Sequence, residues 1–142
     1  MPARQVFLVT NGWLSLLNAD EPLHPEAHSK LLELGRLRSE MFLTDWIIAE
    51  TGNCLARSTL RMEFVEAVGR VSNNPSVHII SVTEALRDRA LELYASRPDK
   101  TWGLVDCASF VVMQDEGITE AFTTDRHFEQ AGFRCLLPAT AV

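Results

Sequence analysis

Short strand-like runs alternate with segments of helical period along almost the whole chain, and that alternation is what most limits the folds open to it. Val6 to Thr10 is rich in strand formers and leads into a short helical stretch, Gly12 to Leu17, and a turn at Asn18 to Pro22. Ala27, Leu31 and Leu34 recur at helical spacing through His24 to Arg38, and a brief strand, Met41 to Leu43, comes next. Thr44 or Asp45 caps a helix reaching about Ser58; Arg61 to Ser72 is helical again, and Asn73, Asn74 and Pro75 end it. Val77 to Val82 forms the next strand, and Thr83 caps a helix through Leu86, Ala90, Leu93 and Tyr94. The loop Arg97 to Trp102 then opens a helix from about Leu104 to Glu116, which Gly117 stops. Phe122 to Thr124 reads as a strand handing over to a short helix around Phe128, with Cys135 to Leu137 as a final edge strand. Helical crossovers between short strands predict an α/β fold, a parallel sheet with helices on both faces, as one unit from Val6 to about Leu137. In such sheets the working crevice lies beyond the carboxyl ends of the strands.

Composition narrows the class further. The chain has 142 residues, 46% apolar and 23% charged, so it is too apolar for disorder and long enough to bury roughly two-thirds of its unfolded surface. Its apolar runs, such as Trp46 to Ala49 and Phe110 to Met113, fall far short of the roughly 20 residues of a membrane span, and no membrane partner is expected. The first apolar stretch breaks at Thr10, Asn11 and Gly12 and runs into Asp20 and Glu21, unlike a secretory leader. Cys54, Cys107 and Cys135 are odd in number and far apart, which excludes a disulfide framework and a zinc knuckle and fits a reducing cytoplasm. Thirteen Lys and Arg against nineteen Asp and Glu leave a net charge of −6, which opposes a broad basic face for nucleic acid. An RNA partner would have to be held locally, by some of the eleven arginines, by metal ions or by a second subunit.

Three carboxylates stand out against that frame. Asp125 directly follows the strand ending at Thr124, Asp106 lies in the first turn of the helix opened by Trp102-Gly103-Leu104-Val105, and Glu50 sits in the apolar stretch around Trp46 to Ala49. Each has an ordinary use as well: Asp106 at a helix N-terminus, Asp125 as a cap of the helix that follows, Glu50 in contact with Asn53 or Arg57 on its own face. Taken together at one strand edge, carboxylates about 4 Å apart repel by roughly 4 kcal/mol per pair at an effective dielectric near 20, and so invite a hard divalent cation. Mg²⁺ or Mn²⁺ suits oxygen ligands best.

The segments Val6-Phe7-Leu8-Val9-Thr10-Asn11, Thr44-Asp45-Trp46-Ile47-Ile48-Ala49-Glu50, Trp102 to Phe110 and Thr123-Thr124-Asp125-Arg126-His127-Phe128 carry a family likeness. In order and content they resemble the motifs of PIN-domain ribonucleases, most closely the VapC-like toxins of type II toxin-antitoxin systems. The resemblance implies a single three-layer α/β/α domain of residues 1–142, an acidic pocket for Mg²⁺ or Mn²⁺, and hydrolysis of RNA phosphodiesters. It places Glu50, Asp106 and Asp125 on the metal-binding and catalytic positions. Thr10, Asn11 and Ser109 become candidates for orienting carboxylates or waters, each with a local backbone hydrogen bond as its alternative; Arg126 and His127 become candidates for contacting phosphate. It also implies a homodimer and a cognate antitoxin protein that lays a segment across the acidic groove.

One position departs from the pattern. The family carries an Asp at the end of its first strand, immediately before Thr or Ser, and here that position is Val9, which has no lone pair for a metal. The chain is therefore expected to be a weakened nuclease; the alternative is a PIN-fold module without catalysis that dimerises and binds an antitoxin peptide. Other classes lack their signatures. There is no G-x-G-x-x-G turn and no P-loop, and a haloacid-dehalogenase phosphatase would need an aspartate where Val9 stands. His24 and His28 stand four apart without a third ligand and are read as helix-surface residues, while Trp13, Trp46 and Trp102 are read as packing residues before base-stacking ones.

Overall fold

A computed structural model describes residues 3–139; Met1, Pro2 and residues 140–142, at the chain's two flanks, lie outside the described part. Its element order is β1 Gln5–Leu8, α1 Thr10–Leu17, α2 His24–Arg36, β2 Glu40–Thr44, α3 Asp45–Cys54, α4 Arg61–Asn73, β3 Val77–Ile80, α5 Glu84–Ser96, α6 Leu104–Glu116, β4 Glu120–Phe122, α7 His127–Gln130 and β5 Arg134–Cys135. All neighbouring strands pair in parallel in the order β3-β2-β1-β4-β5. Strands β2 and β3 lie on one side of β1, β4 and β5 on the other, so the order reverses between β1 and β4. A switch point of this kind opens a crevice at the strands' carboxyl ends.

Local chemistry accounts for the elements. Thr44 caps α3 by accepting from the Ile47 N–H at 3.3 Å, and Thr83 caps α5 by accepting from the Leu86 N–H at 3.2 Å. Gly117 ends α6 in the left-handed conformation, φ 68°, which costs a glycine no Cβ clash. The seven residues Cys107 to Met113 are all buried, because α6 is covered on every side rather than along one stripe. Phe110 on it meets Trp102, Phe128 and Phe133 with ring centroids 5.0, 4.8 and 5.8 Å away. Trp13 and Trp102 are buried as core residues; Trp46 is only half-buried. At the other end of the sheet, the Arg4 guanidinium forks onto Glu120 at 2.7 and 2.9 Å, and this holds the Glu120 carboxyl below its usual range.

The strand ends differ from the sequence expectation where they matter most. Thr10 is not the last strand residue but the first residue of α1, because the chain turns helical immediately after an extended Val9. Strand β4 comes two residues earlier than expected, so Asp125 follows it after a two-residue turn, Thr123-Thr124, rather than directly. That turn forms because the Thr123 and Thr124 side chains bond to Asn11 of α1, and the Asp125 N–H bonds to Thr123 Oγ1. Helix α3 stops at Cys54, which leaves Arg57 off the Glu50 face. No helix of the described residues is long and apolar enough to cross a membrane.

Gly12 marks where α1 meets β4. A Cβ built there would stand 2.1 Å from the Phe122 carbonyl oxygen and 2.6 Å from its ring, whereas one built at Gly52 would meet only the Phe64 ring, at 2.9 Å. Backbone cannot step aside as a ring can. Gly12→Ala is expected to lower stability by about 3 kcal/mol, the upper part of the overpacking range, and Gly52→Ala by less than about 1 kcal/mol after its gain in helix propensity. Urea midpoints of the two variants check this; equal midpoints would refute the close contact at Gly12.

Candidate active site

Three segments converge on the crevice between β1 and β4. The first is the junction Val9-Thr10-Asn11. Val9 is 4% exposed with φ −107° and ψ 153°, and its carbonyl accepts the Trp13 N–H at 3.0 Å to start α1. Thr10 Oγ1 donates to Glu50 Oε1 and accepts, at 3.4 Å, from Thr51 Oγ1. Asn11 clamps the second segment: its Oδ1 accepts from Thr123 Oγ1 at 2.5 Å and from the Thr124 N–H at 3.4 Å, while its Nδ2 donates to Thr124 Oγ1 at 2.8 Å. Beyond that clamp, Asp125 Oδ1 accepts the His127 N–H at 2.9 Å. Helix α7 begins at His127 with Arg126 at its N-cap position, one residue later than expected, so Asp125 precedes the cap and bonds the first helical N–H.

The third segment is the start of α6. Asp106 Oδ2 accepts the Gly103 N–H at 3.0 Å, the ordinary helix-terminus role, and lies 3.3 Å from His127 Nδ1. The same nitrogen is 3.4 Å from Asp125 Oδ1, and His127 Nε2 is 3.1 Å from Thr101 Oγ1. Ligand atoms of Asp106, Asp125 and His127 all lie within 4.8 Å of one another. Burial pushes the Asp106 carboxyl up, and the charge of Asp125 pushes the same way; the Gly103 N–H and His127 pull against them. A carboxylate in that setting is held in a charged state its surroundings disfavour.

Glu50 does not join this cluster. It hangs beside it on Thr10 and lines a neighbouring recess of about 600 Å³ with Trp46, Ala49, Asn53, Leu104 and Val105. Arg57 plays no part in holding it. Asn11 bonds the turn that precedes Asp125, and Thr10 bonds Glu50. Ser109 is fully buried and its hydroxyl donates to the Val105 carbonyl at 2.8 Å, its local alternative. Arg126 turns from the crevice to Glu129 at 2.5 Å and the Leu137 carbonyl at 3.3 Å. His24 contacts the Ser15 carbonyl at 2.8 Å, so it is tied to α1 rather than free on the surface. Thr101 carried no sequence signal, since only the fold sets it beside His127; Thr123 and Thr124 were legible only as strand formers.

A cleft of about 430 Å³ adjoins the His127 side, lined by Tyr94, Arg97, Lys100, Thr101 and Trp102, with Arg97 stacked over the Trp102 ring at 5.1 Å. Arg97 also forks onto Asp99 with two bonds of 2.9 Å, so its charge is matched within the same loop. The arrangement as a whole can hold a divalent cation against two carboxylates and an imidazole, with a third carboxylate in the neighbouring recess.

Comparison with known proteins agrees with that chemistry. Residues 6–134 match the PIN domain family. The 23S rRNA-specific endonuclease VapC20 of Mycobacterium tuberculosis, in strains CDC 1551 / Oshkosh and ATCC 25618 / H37Rv, is 28% identical over 129 residues, which cover 90% of this chain and 95% of the relative. The crystal structure of M. tuberculosis VapC20, described as a sarcin-ricin loop cleaving toxin, superposes with a TM-score of 0.81 at 28% identity, over 94% of this chain and 99% of that one. These likenesses favour the nuclease over the purely binding alternative. With its five parallel strands between helical layers, the chain belongs to the PIN-domain family, on the VapC-like branch whose function is RNA cleavage.

Proposed function

We propose that this chain is a divalent-metal-dependent endoribonuclease toxin that hydrolyses RNA at the pocket of Asp106 and Asp125, with Glu50 as the third carboxylate. The observation that supports it is the meeting of Asp106 and Asp125 at the β1/β4 switch point, with His127 between them. The donor set fits a divalent cation, since two carboxylates this close are mutually destabilising until a cation neutralises them. When bound there, Mg²⁺ or Mn²⁺ would neutralise the incoming phosphate, lower the pKa of a coordinated water and stabilise the leaving oxygen. Asp106 and Asp125 hold and neutralise it. Glu50, fixed by Thr10, lines the neighbouring recess, through which the strand of RNA would pass. A 23S rRNA stem-loop of sarcin-ricin type is the first substrate to test, on the strength of the relative's activity.

Val9 leaves the pocket one oxygen donor short. Loss of even an outer partner costs about 10 to 100-fold in metal affinity or activity, so Val9→Asp is expected to raise Mn²⁺-dependent RNA cleavage by at least about 10-fold. Asp106→Asn and Asp125→Asn drop it to background, and Glu50→Gln lowers it by about 100-fold or more. Cleavage by Val9→Asp no faster than by the parent would remove the mechanism.

Metal-free stability tests the electrostatics separately. Because the Asp106 pKa is raised on folding, the folded state binds this proton more tightly than the unfolded one. The penalty of ionising it is complete above the folded pKa, fades as pH falls through that value, and is gone below the ordinary Asp value near 4. Asp106→Asn keeps the Gly103 bond and removes the charge. Its melting temperature at pH 7.5 should exceed the parent's by about 2–4 °C, with the gap closing in acid; a constant gap, or a lower melting point, would count against a strained carboxylate.

A cognate antitoxin and a homodimer complete the reading. Between α1, α2 and α4 lies an apolar groove of about 670 Å³ lined by Trp13, Leu16, Leu31, Met41 and Val71, and the buried Ser39 hydroxyl on its wall has no hydrogen-bond partner among the described residues. The groove reaches the amino ends of β2 and β3, at Met41, Ser76 and Val77, away from the carboxyl-end crevice, so the antitoxin contact proposed for the crevice is a basic side chain at the Asp106–Asp125 pair itself. Light scattering of the protein alone and after co-expression with the neighbouring gene's product should give a dimer and a larger complex; a monomer indifferent to that product contradicts both.

A further inference from the structure

His127 stands between the two carboxylates, with one ring nitrogen facing both. Its Nδ1 is 3.3 Å from Asp106 Oδ2 and 3.4 Å from Asp125 Oδ1, whereas a protonated imidazole donating directly to a carboxylate sits at about 2.7–2.9 Å. Two ligands of one ion, each bonded at about 2.1 Å, stand roughly 3.0–3.4 Å apart in octahedral or tetrahedral geometry. The observed separations match the spacing of co-ligands and are long for a direct charge-assisted bond. Outside the cluster, Thr101 Oγ1 lies 3.1 Å from Nε2. With the Nε2–H donated to that hydroxyl, Nδ1 carries its lone pair toward the two carboxylates, the orientation a metal-binding imidazole takes. The backbone N–H of His127 is meanwhile bound to Asp125 Oδ1 at 2.9 Å, which fixes the ring's base relative to the carboxylate.

We propose that His127 is itself a metal ligand through Nδ1, positioned by Thr101, so that this site takes two carboxylates and an imidazole and selects Mn²⁺ over Mg²⁺. The proposal rests on the metal-dependent reading of the same pocket and adds the donor that makes up for Val9. Exchanging an oxygen donor for a nitrogen one moves preference away from Mg²⁺, which demands oxygen ligands, and toward ions that accept imidazole.

The test is Mn²⁺ titrated into the metal-free full-length protein, followed by calorimetry and by pulsed electron paramagnetic resonance. Nitrogen modulation of the Mn²⁺ echo is expected in the unaltered protein, changing when its histidines carry ¹⁵N and vanishing in His127→Gln. Mn²⁺ affinity should fall at least about 10-fold in His127→Gln and by about 10-fold in Thr101→Val, which leaves every donor atom in place. His127→Asp should bind again with its preference shifted toward Mg²⁺. No nitrogen modulation in the unaltered protein, while Asp106→Asn and Asp125→Asn still abolish binding, would overturn the ligand role of His127 and leave the carboxylate site standing. Mn²⁺ binding indifferent to Asp106→Asn and Asp125→Asn would overturn the site itself, and His127 with it. The labelled spectrum needs no variant, so a His127→Gln protein that fails to fold does not stop the experiment from deciding.

Discussion

The first turn of α1 lies so close to the end of β4 that position 12 has room only for hydrogen, with the Phe122 carbonyl 2.1 Å from where a Cβ would be. Everything at the crevice depends on that approach. It brings Asn11 into reach of Thr123 and Thr124, whose turn presents Asp125, and it sets Thr10 against Glu50 on α3. Two elements far apart in the chain are thereby locked at the point where the sheet order reverses. The crevice is thus held together by neutral amide and hydroxyl bonds among Asn11, Thr123, Thr124 and Thr10.

The electrostatics of the pocket follow from that construction. Asp106 is half removed from water and close to Asp125, and only the Gly103 N–H and His127 offset the strain. A cation placed there would relieve that repulsion. Val9 does not dismantle it, because the clamp does not run through position 9; what Val9 removes is one oxygen donor and one negative charge. A site with fewer carboxylates repels RNA less and also holds its ion less tightly.

Much of this was legible residue by residue. The alternation of strand and helix patterns led to the parallel sheet, and helix α6 came out with the bounds expected of it because Gly117 is a strong stop. The ends of β1 and β4 were not legible. Thr10 and Thr123-Thr124 are good strand formers by type, and only their bonds to Glu50 and Asn11 pull them into a helix and a turn. Ser109 shared a motif with Asp106 but lies at helical spacing from Val105, whose carbonyl takes its hydroxyl. Arg126 looked like a phosphate contact beside Asp125 and instead reaches along α7 to Glu129.

Residue types and their order by themselves determined the α/β class, the absence of nucleotide-binding loops, the family likeness and the three acids worth watching, since hydrophobic period and motif spacing are local properties. Tertiary structure decided which of those acids meet. Asp106 and Asp125 come together with His127, while Glu50 stands aside on Thr10, and Thr101 enters from a loop without any motif. Distances between side chains carried by different elements depend on how closely helices and strands pack, and no pattern read along one chain contains that information.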